Sequence, residues 1–407
     1  MKLFYILKFK KPALVVSIIH LLFFIPFLSK GYISSDWDSY AIIGSAKIYI
    51  QEGIYIPSRP PGFPLSELLS ILAIRFSELI PLEFEKILLI IQFIFLMLSN
   101  ILIFKLLSLK NRNCQTLYFL IMFSPIYIIS GLTVIDYIPG LFFGFLGILL
   151  ILNTKKYKNM YVISLLFAFS IGFRLSNIIF LFALIFYLIL IKKDQKSSFI
   201  VVTATGVFSL IIYGIAYWSL WSNTLSTIYS SNISEVLCIF NLTNTDHDPI
   251  SRLGRFVLKQ ASYLSVLGSL LFLANIKKIK NIQFFENIIF MVIFILFQIS
   301  FLRLPTEEGH MLPAFIAAII IISNSKVDLS FGKILFVIVL LSNFINLNFY
   351  DVNETDSATE IYFNSEIKPG LLVEDYNLRI ERGQNKQFHY QNSIDTLNKA
   401  WKNGCPN

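Results

Sequence analysis

Charged residues are scarce in this chain of 407 residues: Asp, Glu, Lys and Arg together make up 14% of it, whereas 56% is hydrophobic. A soluble domain is about one-quarter charged, because it needs polar side chains to cover its core. The composition therefore excludes an ordinary soluble domain. Apolar runs long enough to cross about 30 Å of hydrocarbon as helices recur along the chain. The sequence predicts an all-α polytopic membrane protein.

Cysteine and histidine are also rare, and neither forms a metal-binding motif. The three cysteines (Cys114, Cys238 and Cys405) and the four scattered histidines lack the spacing of a structural metal site. The net charge of +9 comes largely from short basic loops between apolar runs. That distribution is typical of the positive-inside rule and argues against a nucleic-acid partner.

The basic loops predict the topology. Lys8, Lys10 and Lys11 precede the first apolar run, so the N-terminus is expected in the cytoplasm. Further cytoplasmic loops are marked by Lys105, Lys110, Arg112, residues 155–158, 192–196 and 277–280, Lys326 and Lys333. About eleven spans are expected, near residues 12–29, 85–106, 115–131, 137–153, 159–173, 176–191, 198–219, 256–275, 283–301, 310–325 and 332–349. This places a transmembrane domain, which we expect to be catalytic, at 1–349. The small external tail at 350–407 is expected to be a lid or partly disordered.

The first external loop, residues 30–84, is unusually long. Its segment 64–79 is apolar on one side but carries Glu67, Arg75 and Glu78. Counting this segment as a span would invert every basic loop that follows. It is therefore predicted to be an amphipathic helix on the outer membrane surface.

Ionisable residues collect on the predicted outer side. They are Asp36, Asp38, Arg59, Asp136, Arg174, Arg303, Glu307, Glu308 and His310. Such groups are costly near hydrocarbon and tend to mark functional sites. Carboxylates with arginines on one face of the membrane fit a cavity that holds a general base and a phosphate, because the guanidinium fork suits phosphate oxygens.

Several of these residues also have a purely structural interpretation. Asp38 fits the N-cap of a helix that begins near Tyr40, and Asp136 fits either a cap or a site. Arg75, Glu78 and Arg303 fit interfacial residues whose charges reach the head groups. His310 alone fits an interfacial histidine. For Arg174, which has a more apolar context, a paired or functional role is favoured.

Four stretches carry a resemblance to a known superfamily. They are "DWDSYAIIGSAKIYIQEGIYIPSRPPGFPLSELL", "SPIYIISGLTVIDYIPGLFFGFLGILL", "GFRLSNIIFLFALIF" and "LPTEEGHMLPAFIAAII". In order, spacing and sidedness they resemble the GT-C glycosyltransferases, closest to the aminoarabinose-transferase and protein O-mannosyltransferase branch. The last stretch is similar to that family's E-x-x-Y-L-L-P segment, with His310 and Met311 in place of Tyr-Leu.

The resemblance implies a transferase that moves a sugar, with inversion, from a polyprenyl-phosphate donor to a hydroxyl of a lipid, glycan or protein. Asp36 matches the family's catalytic aspartate, with Asp38 as the second candidate. Arg59 and Arg174 would bind the donor phosphate. A divalent cation, Mg²⁺ or Mn²⁺, held by Asp36 and Asp38, is left open by the resemblance. The site would lie on the external face of the membrane, which in a bacterium or archaeon is the cytoplasmic membrane.

The turn "PPGFP" follows Arg59 directly. Pro60, Pro61 and Pro64 restrict the backbone and Gly62 permits a tight turn, so we expect this turn to hold Arg59 at the head-group level.

Two other functions compete with the transferase. A transporter or flippase for a lipid-linked solute would place charges near the midplane of the membrane and show internal repeats. A polysaccharide polymerase or ligase would centre its chemistry on a large later external loop. No convincing repeat of the first half of the chain is present in the second half, and the acids are predicted at one face of the membrane rather than in its middle. Both functions stay as alternatives to the transferase.

Overall fold

The computed structural model describes residues 11–59, 62–109, 114–153, 159–228, 249–275, 279–280, 287–303, 308–324, 326–327, 331–348, 351–354, 359–362 and 366–402. The described chain is mostly helical. Its helices are α1 (Lys11–Lys30), α2 (Trp37–Glu52), α3 (Pro64–Ser77), α4 (Phe84–Ser108), α5 (Gln115–Met122), α6 (Pro125–Leu132), α7 (Tyr137–Asn153), α8 (Met160–Phe173), α9 (Ile178–Leu190), α10 (Gln195–Ile228), α11 (Pro249–Ala261), α12 (Ser265–Ala274), α13 (Ile288–Arg303), α14 (Leu312–Ser323), α15 (Gly332–Ser342), α16 (Leu371–Gln384) and α17 (Lys386–Lys402). Short 3-10 turns at Leu175–Asn177 and Glu308–Met311 precede α9 and α14.

Within the described ranges, three helices are long and apolar enough to cross a membrane: α1, α4 and the 195–218 part of α10. The number rises to five if each of two bent helix pairs counts as one span. Six further apolar helices are shorter, at 10–17 residues. The prediction of a helical protein with membrane-spanning helices is supported at this coarser level, while the number of eleven spans stays a prediction.

Two predicted spans are bent pairs rather than straight helices. The α5–α6 pair turns by 57° at Phe123 and Ser124, next to Pro125, and the α11–α12 pair turns by 92°. Proline lacks a backbone donor and restricts the residue before it, which accounts for the first break. In the second pair, α11 lies nearly perpendicular to α12, so the two halves do not form one straight crossing.

The exposed surface of the helices is itself apolar. In α10, the side chains of Phe199, Leu210, Ile215 and Trp218 are all more than 70% exposed. Monomeric soluble proteins rarely carry apolar patches of this extent. Such a surface is suited to lipid contact.

A polar network crosses the interior of the helix bundle. Tyr127 donates a hydrogen bond to Asn100 Oδ1 at 2.8 Å, and Asn100 Nδ2 donates to Ser17 Oγ at 3.2 Å. His20 Nε2 lies 3.0 Å from the carbonyl oxygen of Met122. Because buried polar groups need partners, these contacts fix the packing of α1, α4 and α6.

The described part of the C-terminal tail forms strands and helices. Strands β3 (Ile345–Asn348) and β6 (Glu366–Pro369) pair antiparallel, as do β4 (Asp351–Glu354) and β5 (Thr359–Tyr362). Earlier in the chain, β1 (Ile279–Lys280) and β2 (Lys326–Val327) form a separate antiparallel pair. Helices α16 and α17 follow β6, and α17 packs on α2. The sequence did not indicate α16 because only one of the four residues on its buried face, Leu372, is a large apolar residue. The others are Asp375, Arg379 and Gly383. The domain boundary at 350 stays a prediction.

Helix α3 is amphipathic, as predicted, and its polar side faces the protein. Ser66, Glu67 and Ser70 are buried, whereas Leu68, Leu72 and Phe76 are about half exposed. A helix lying at a lipid surface presents its apolar face outward in this way.

Candidate functional site: two acid–arginine pairs around a cavity

The acidic loop before α2 places its two aspartates differently. Asp36 is the N-cap of α2: its Oδ1 accepts a hydrogen bond from the backbone N–H of Asp38 at 2.9 Å. The backbone N–H of Asp36 in turn donates to Ser34 Oγ at 2.7 Å. The interpretation of Asp38 as the cap was therefore wrong, because the helix begins at Trp37, three residues earlier than expected. Asp36 is half-buried, and the cap fixes its direction.

Asp38 and Arg59 form the first acid–arginine pair. The Asp38 carboxylate is only 3% exposed and is in contact with the Arg59 guanidinium. The Arg59 side chain is 36% exposed, so the pair is not fully enclosed by protein. The expected meeting of an acid and a guanidinium is present, but through Asp38 rather than Asp36.

A buried carboxylate organises the loop that carries Arg59. Glu67 in α3 accepts hydrogen bonds from the backbone N–H of Ser58 at 2.7 Å and from Ser58 Oγ at 2.6 Å, and it also contacts the Tyr55 hydroxyl. Gly62 has φ +95°, and a Cβ there would come 2.7 Å from the Tyr55 hydroxyl oxygen. Gly62 is thus needed for the turn, as expected. Pro60 and Pro61 lie outside the described residues.

The Glu67 environment predicts a pH-dependent stability. Burial raises the pKa of the Glu67 carboxyl above its usual 4.5, although the hydrogen bonds from Ser58 and Tyr55 act in the opposite direction. A raised folded-state pKa means that this group's stabilising contribution is present below pH 4.5 and is lost as the pH rises through the folded-state value. A glutamine side chain at this position would stay neutral at every pH, so we expect Glu67→Gln to melt about 2–4 °C higher than wild type at about pH 8 and to lose that advantage near pH 4.5.

Thermal melting in detergent across this pH range measures the difference. Glu78→Gln is the matched control, because the Glu78 side chain is 53% exposed just past the end of the same helix. A melting temperature of Glu67→Gln that falls below that of wild type on the alkaline side of this range would contradict the assignment.

Asp136 and Arg174 form the second pair. Arg174 Nη1 lies 2.6 Å from Asp136 Oδ2. The Arg174 side chain is 7% exposed and the Asp136 side chain is 1% exposed. Arg174 Nη2 contacts His310 Nε2, and the guanidinium carbon lies 4.3 Å from the centre of the Tyr137 ring. Three separate chain segments therefore meet here. The paired role expected for Arg174 is present.

The two pairs belong to one region of the molecule. The Arg174 guanidinium carbon lies 5.7 Å from the centre of the Phe63 ring, in the turn that follows Arg59. A cavity of about 120 Å³ lies between the acidic loop and the second pair. Its lining consists of Ser35, Asp36, Ile126, Ile129, Ser130, Thr133, Ile135, Tyr137 and Gly309. Of the two candidate bases, Asp36 is the one that lines this cavity.

The remaining predicted residues are Arg75, Glu78, Arg303, Glu307 and Glu308. Glu307 lies outside the described residues, and so do the side chains of Arg303 and Glu308. Arg75 and Glu78 form an exposed pair with 3.3 Å between Nη1 and Oε2, away from the cavity.

Four residues that shape the site were not predicted from the sequence: Tyr55, Ser58, Asp375 and Arg379. Glu67 was predicted to be a charge on an interfacial helix, although an acid beside small polar residues on one helix face indicates a polar side that faces inward. No signal in the sequence linked the tail to the acidic loop.

A bound divalent cation fits these residues poorly. Within the described part of the chain, no group of three or more His, Cys, Asp and Glu side chains is arranged to hold a metal ion. Asp38 is paired with Arg59, and Asp36 is the helix cap, so the two acids do not form the open oxygen cage that Mg²⁺ or Mn²⁺ requires.

Comparison of the chain with protein-family models, with curated proteins and with solved structures found no match. The resemblance of its motifs to the GT-C glycosyltransferases stays a prediction.

Proposed function

We propose that the protein is a membrane-bound glycosyltransferase that moves a sugar from a polyprenyl-phosphate donor to an acceptor hydroxyl. One observation supports the proposal: Asp36 lines a cavity, and two acid–arginine pairs lie in the same region of the molecule. Arg174 of the second pair contacts the cavity-lining Tyr137, and it also lies near Phe63 in the turn that follows Arg59. A base close to phosphate-binding guanidinium groups is what this reaction requires.

The proposed reaction is a single displacement. Asp36 accepts the proton of the acceptor hydroxyl as its oxygen forms a bond to the anomeric carbon of the sugar. The bond between that carbon and the phosphate oxygen breaks, and its electron pair leaves with the polyprenyl phosphate. Arg59 stabilises the charge that grows on this phosphate, and Arg174 adds positive charge behind it. The attack from the face opposite the leaving group inverts the anomeric carbon.

A neighbouring apolar groove suits the lipid part of the donor. It has a volume of about 180 Å³ and lies between α2, α3 and α10. Its lining is Tyr49, Tyr55, Pro64, Leu65, Leu68, Ile71, Ile212, Ile215 and Ala216. Tyr55 belongs both to this groove and to the loop that carries Arg59, so an isoprenoid chain in the groove would bring its phosphate close to Arg59.

The full topology is part of the proposal. The two bent pairs and the six short apolar helices, added to the three long ones, equal the eleven predicted spans. On that assignment the N-terminus is cytoplasmic, and the first loop, the cavity and the tail lie on the outer side.

Mass spectrometry of the envelope glycans, lipids and proteins of cells with and without this protein tests the function. We expect cells without it to lack one sugar residue on a lipid, glycan or protein and to accumulate the polyprenyl-phosphate sugar, because the donor is no longer consumed. A completed lipid-linked glycan that builds up instead would indicate a flippase, a polymerase or a ligase and would contradict the proposal.

A further inference from the structure

We propose that the Asp375–Arg379 ion pair of helix α16 holds together the two loops that line the cavity, residues 33–36 and 132–134. In this way the helix positions Asp36. The expected effect on the reaction rate rests on the proposed function, whereas the contact between the two loops is a property of the structure alone. Asp375 and Arg379 are positioning residues, since neither of them lines the cavity.

Arg379 holds the loop that leads to Asp136. Its guanidinium is fully buried and donates to the carbonyl oxygen of Leu132 at 2.8 Å and to Thr133 Oγ1 at 2.7 Å. The ring of Phe27, at the end of α1, lies 4.3 Å from the guanidinium carbon. Arginine carries several donors in one plane, so a single side chain can hold two consecutive residues of a loop.

Asp375 holds the loop that carries Asp36. One of its carboxylate oxygens accepts from Arg379 Nη2 at 2.9 Å, and the other accepts from the Ser35 hydroxyl. Ser35 is the residue directly before Asp36, and it lines the cavity together with Asp36 and Thr133. The ion pair thus connects one cavity wall to the other through two hydrogen-bonded side chains.

Two further contacts support the same connection. The backbone N–H of Val134 donates to the carbonyl oxygen of Ile33 at 3.1 Å, which joins the two loops directly. At the C-terminal end of α16, Gly383 packs so closely on Tyr32 that a Cβ there would come 2.1 Å from the tyrosine ring. The helix is therefore seated against the acidic loop along several turns.

The expected consequence is a reaction rate that depends on a helix outside the cavity. A displacement of about 1 Å at a reacting group can cost roughly a hundredfold in rate, even when the change lies far from the chemistry. Loosening the Ser35–Asp375 contact would let Asp36 move while the donor contacts at Arg59 stay in place. We therefore expect kcat to fall and KM to remain nearly constant.

The test compares Ser35→Ala and Arg379→Lys with Glu381→Gln, an exposed substitution on the same helix. Ser35→Ala removes one hydrogen bond and leaves the buried ion pair intact, so it keeps the test valid if Arg379→Lys fails to fold. Amide hydrogen exchange of the full-length protein in lipid nanodiscs follows residues 33–36 and 132–134. Sugar transfer from a polyprenyl-phosphate sugar gives kcat and KM for each variant.

We expect exchange in residues 33–36 to be about tenfold faster in Ser35→Ala, and exchange in both loops to be faster in Arg379→Lys. We expect kcat to fall by about 10- to 100-fold with KM within about twofold of wild type. Unchanged exchange in both loops would show that the Asp375–Arg379 pair does not hold them together. Faster exchange with an unchanged kcat would overturn its role in positioning. If the wild-type protein transfers no sugar, the proposed function fails, and the exchange data alone still decide whether α16 holds the loops.

Discussion

Replacement of Asp36 by Asn is expected to reduce sugar transfer by about 10²- to 10⁴-fold, the range that general-base catalysis contributes. Asparagine is as good an N-cap as aspartate, so the substitution keeps the hydrogen bond to the backbone N–H of Asp38 and removes only the basic carboxylate. The melting temperature should therefore stay close to that of wild type. Asp36→Ala, by contrast, loses the cap as well, at about 0.5–2 kcal/mol.

Asp38→Asn is the matched comparison. Asp38 is buried against Arg59, so its loss should disturb Arg59 and the donor phosphate and raise the donor KM more than it lowers kcat. Full transfer by Asp36→Asn together with a large loss in Asp38→Asn would reverse the two roles. Retained transfer in both variants would remove the proposed mechanism.

The second large effect concerns the stability of the Asp136–Arg174 pair. Either Asp136→Asn or Arg174→Met is expected to lower the free energy of unfolding by about 3–5 kcal/mol, because each leaves one charge buried without its partner. The double substitution should cost less than the sum of the two single ones, since it removes both charges. Equilibrium unfolding in mixed micelles measures all three variants.

The exposed pair Arg75–Glu78 provides the control. Its side chains are 55% and 53% exposed, and breaking it with Arg75→Gln should change stability by no more than about 1 kcal/mol. Equal costs at the two pairs, or additive costs at Asp136 and Arg174, would show that the inner pair is not a buried, coupled unit.

Composition and hydropathy were sufficient to predict a helical protein with membrane-spanning helices, because lipid selects long apolar runs regardless of their partners. The same patterns placed α1 and α4 within one or two residues of their observed bounds. They did not predict the 92° bend between α11 and α12, because hydropathy reports the length of an apolar run and not its direction.

For the site, the predicted side of the membrane was the only feature that grouped Asp36, Arg59, Asp136 and Arg174. It did not predict which acid pairs with which arginine. Asp36 and Asp38 are two residues apart, and only the start of α2 at Trp37 decides that one caps the helix and the other faces Arg59. The hydrogen bonds of Arg379 to the loop before Asp136 could not be predicted from the sequence for a different reason. Its partner Thr133 is separated from it by 246 residues, and no local pattern encodes such a contact.

Which side of the membrane the acidic loop occupies can be measured by labelling single cysteines at position 37 or 52. The variants Trp37→Cys and Glu52→Cys, in a chain whose three native cysteines are replaced by serine, are treated in intact cells with a membrane-impermeant maleimide. Lys193→Cys, in a predicted cytoplasmic loop, is the control. If the cavity lined by Asp36 faces a lipid-linked donor on the outer surface, positions 37 and 52 are labelled before the cells are opened, and position 193 only afterwards. Labelling of position 193 from outside, with positions 37 and 52 protected until the membrane is permeabilised, would contradict the external location of this cavity.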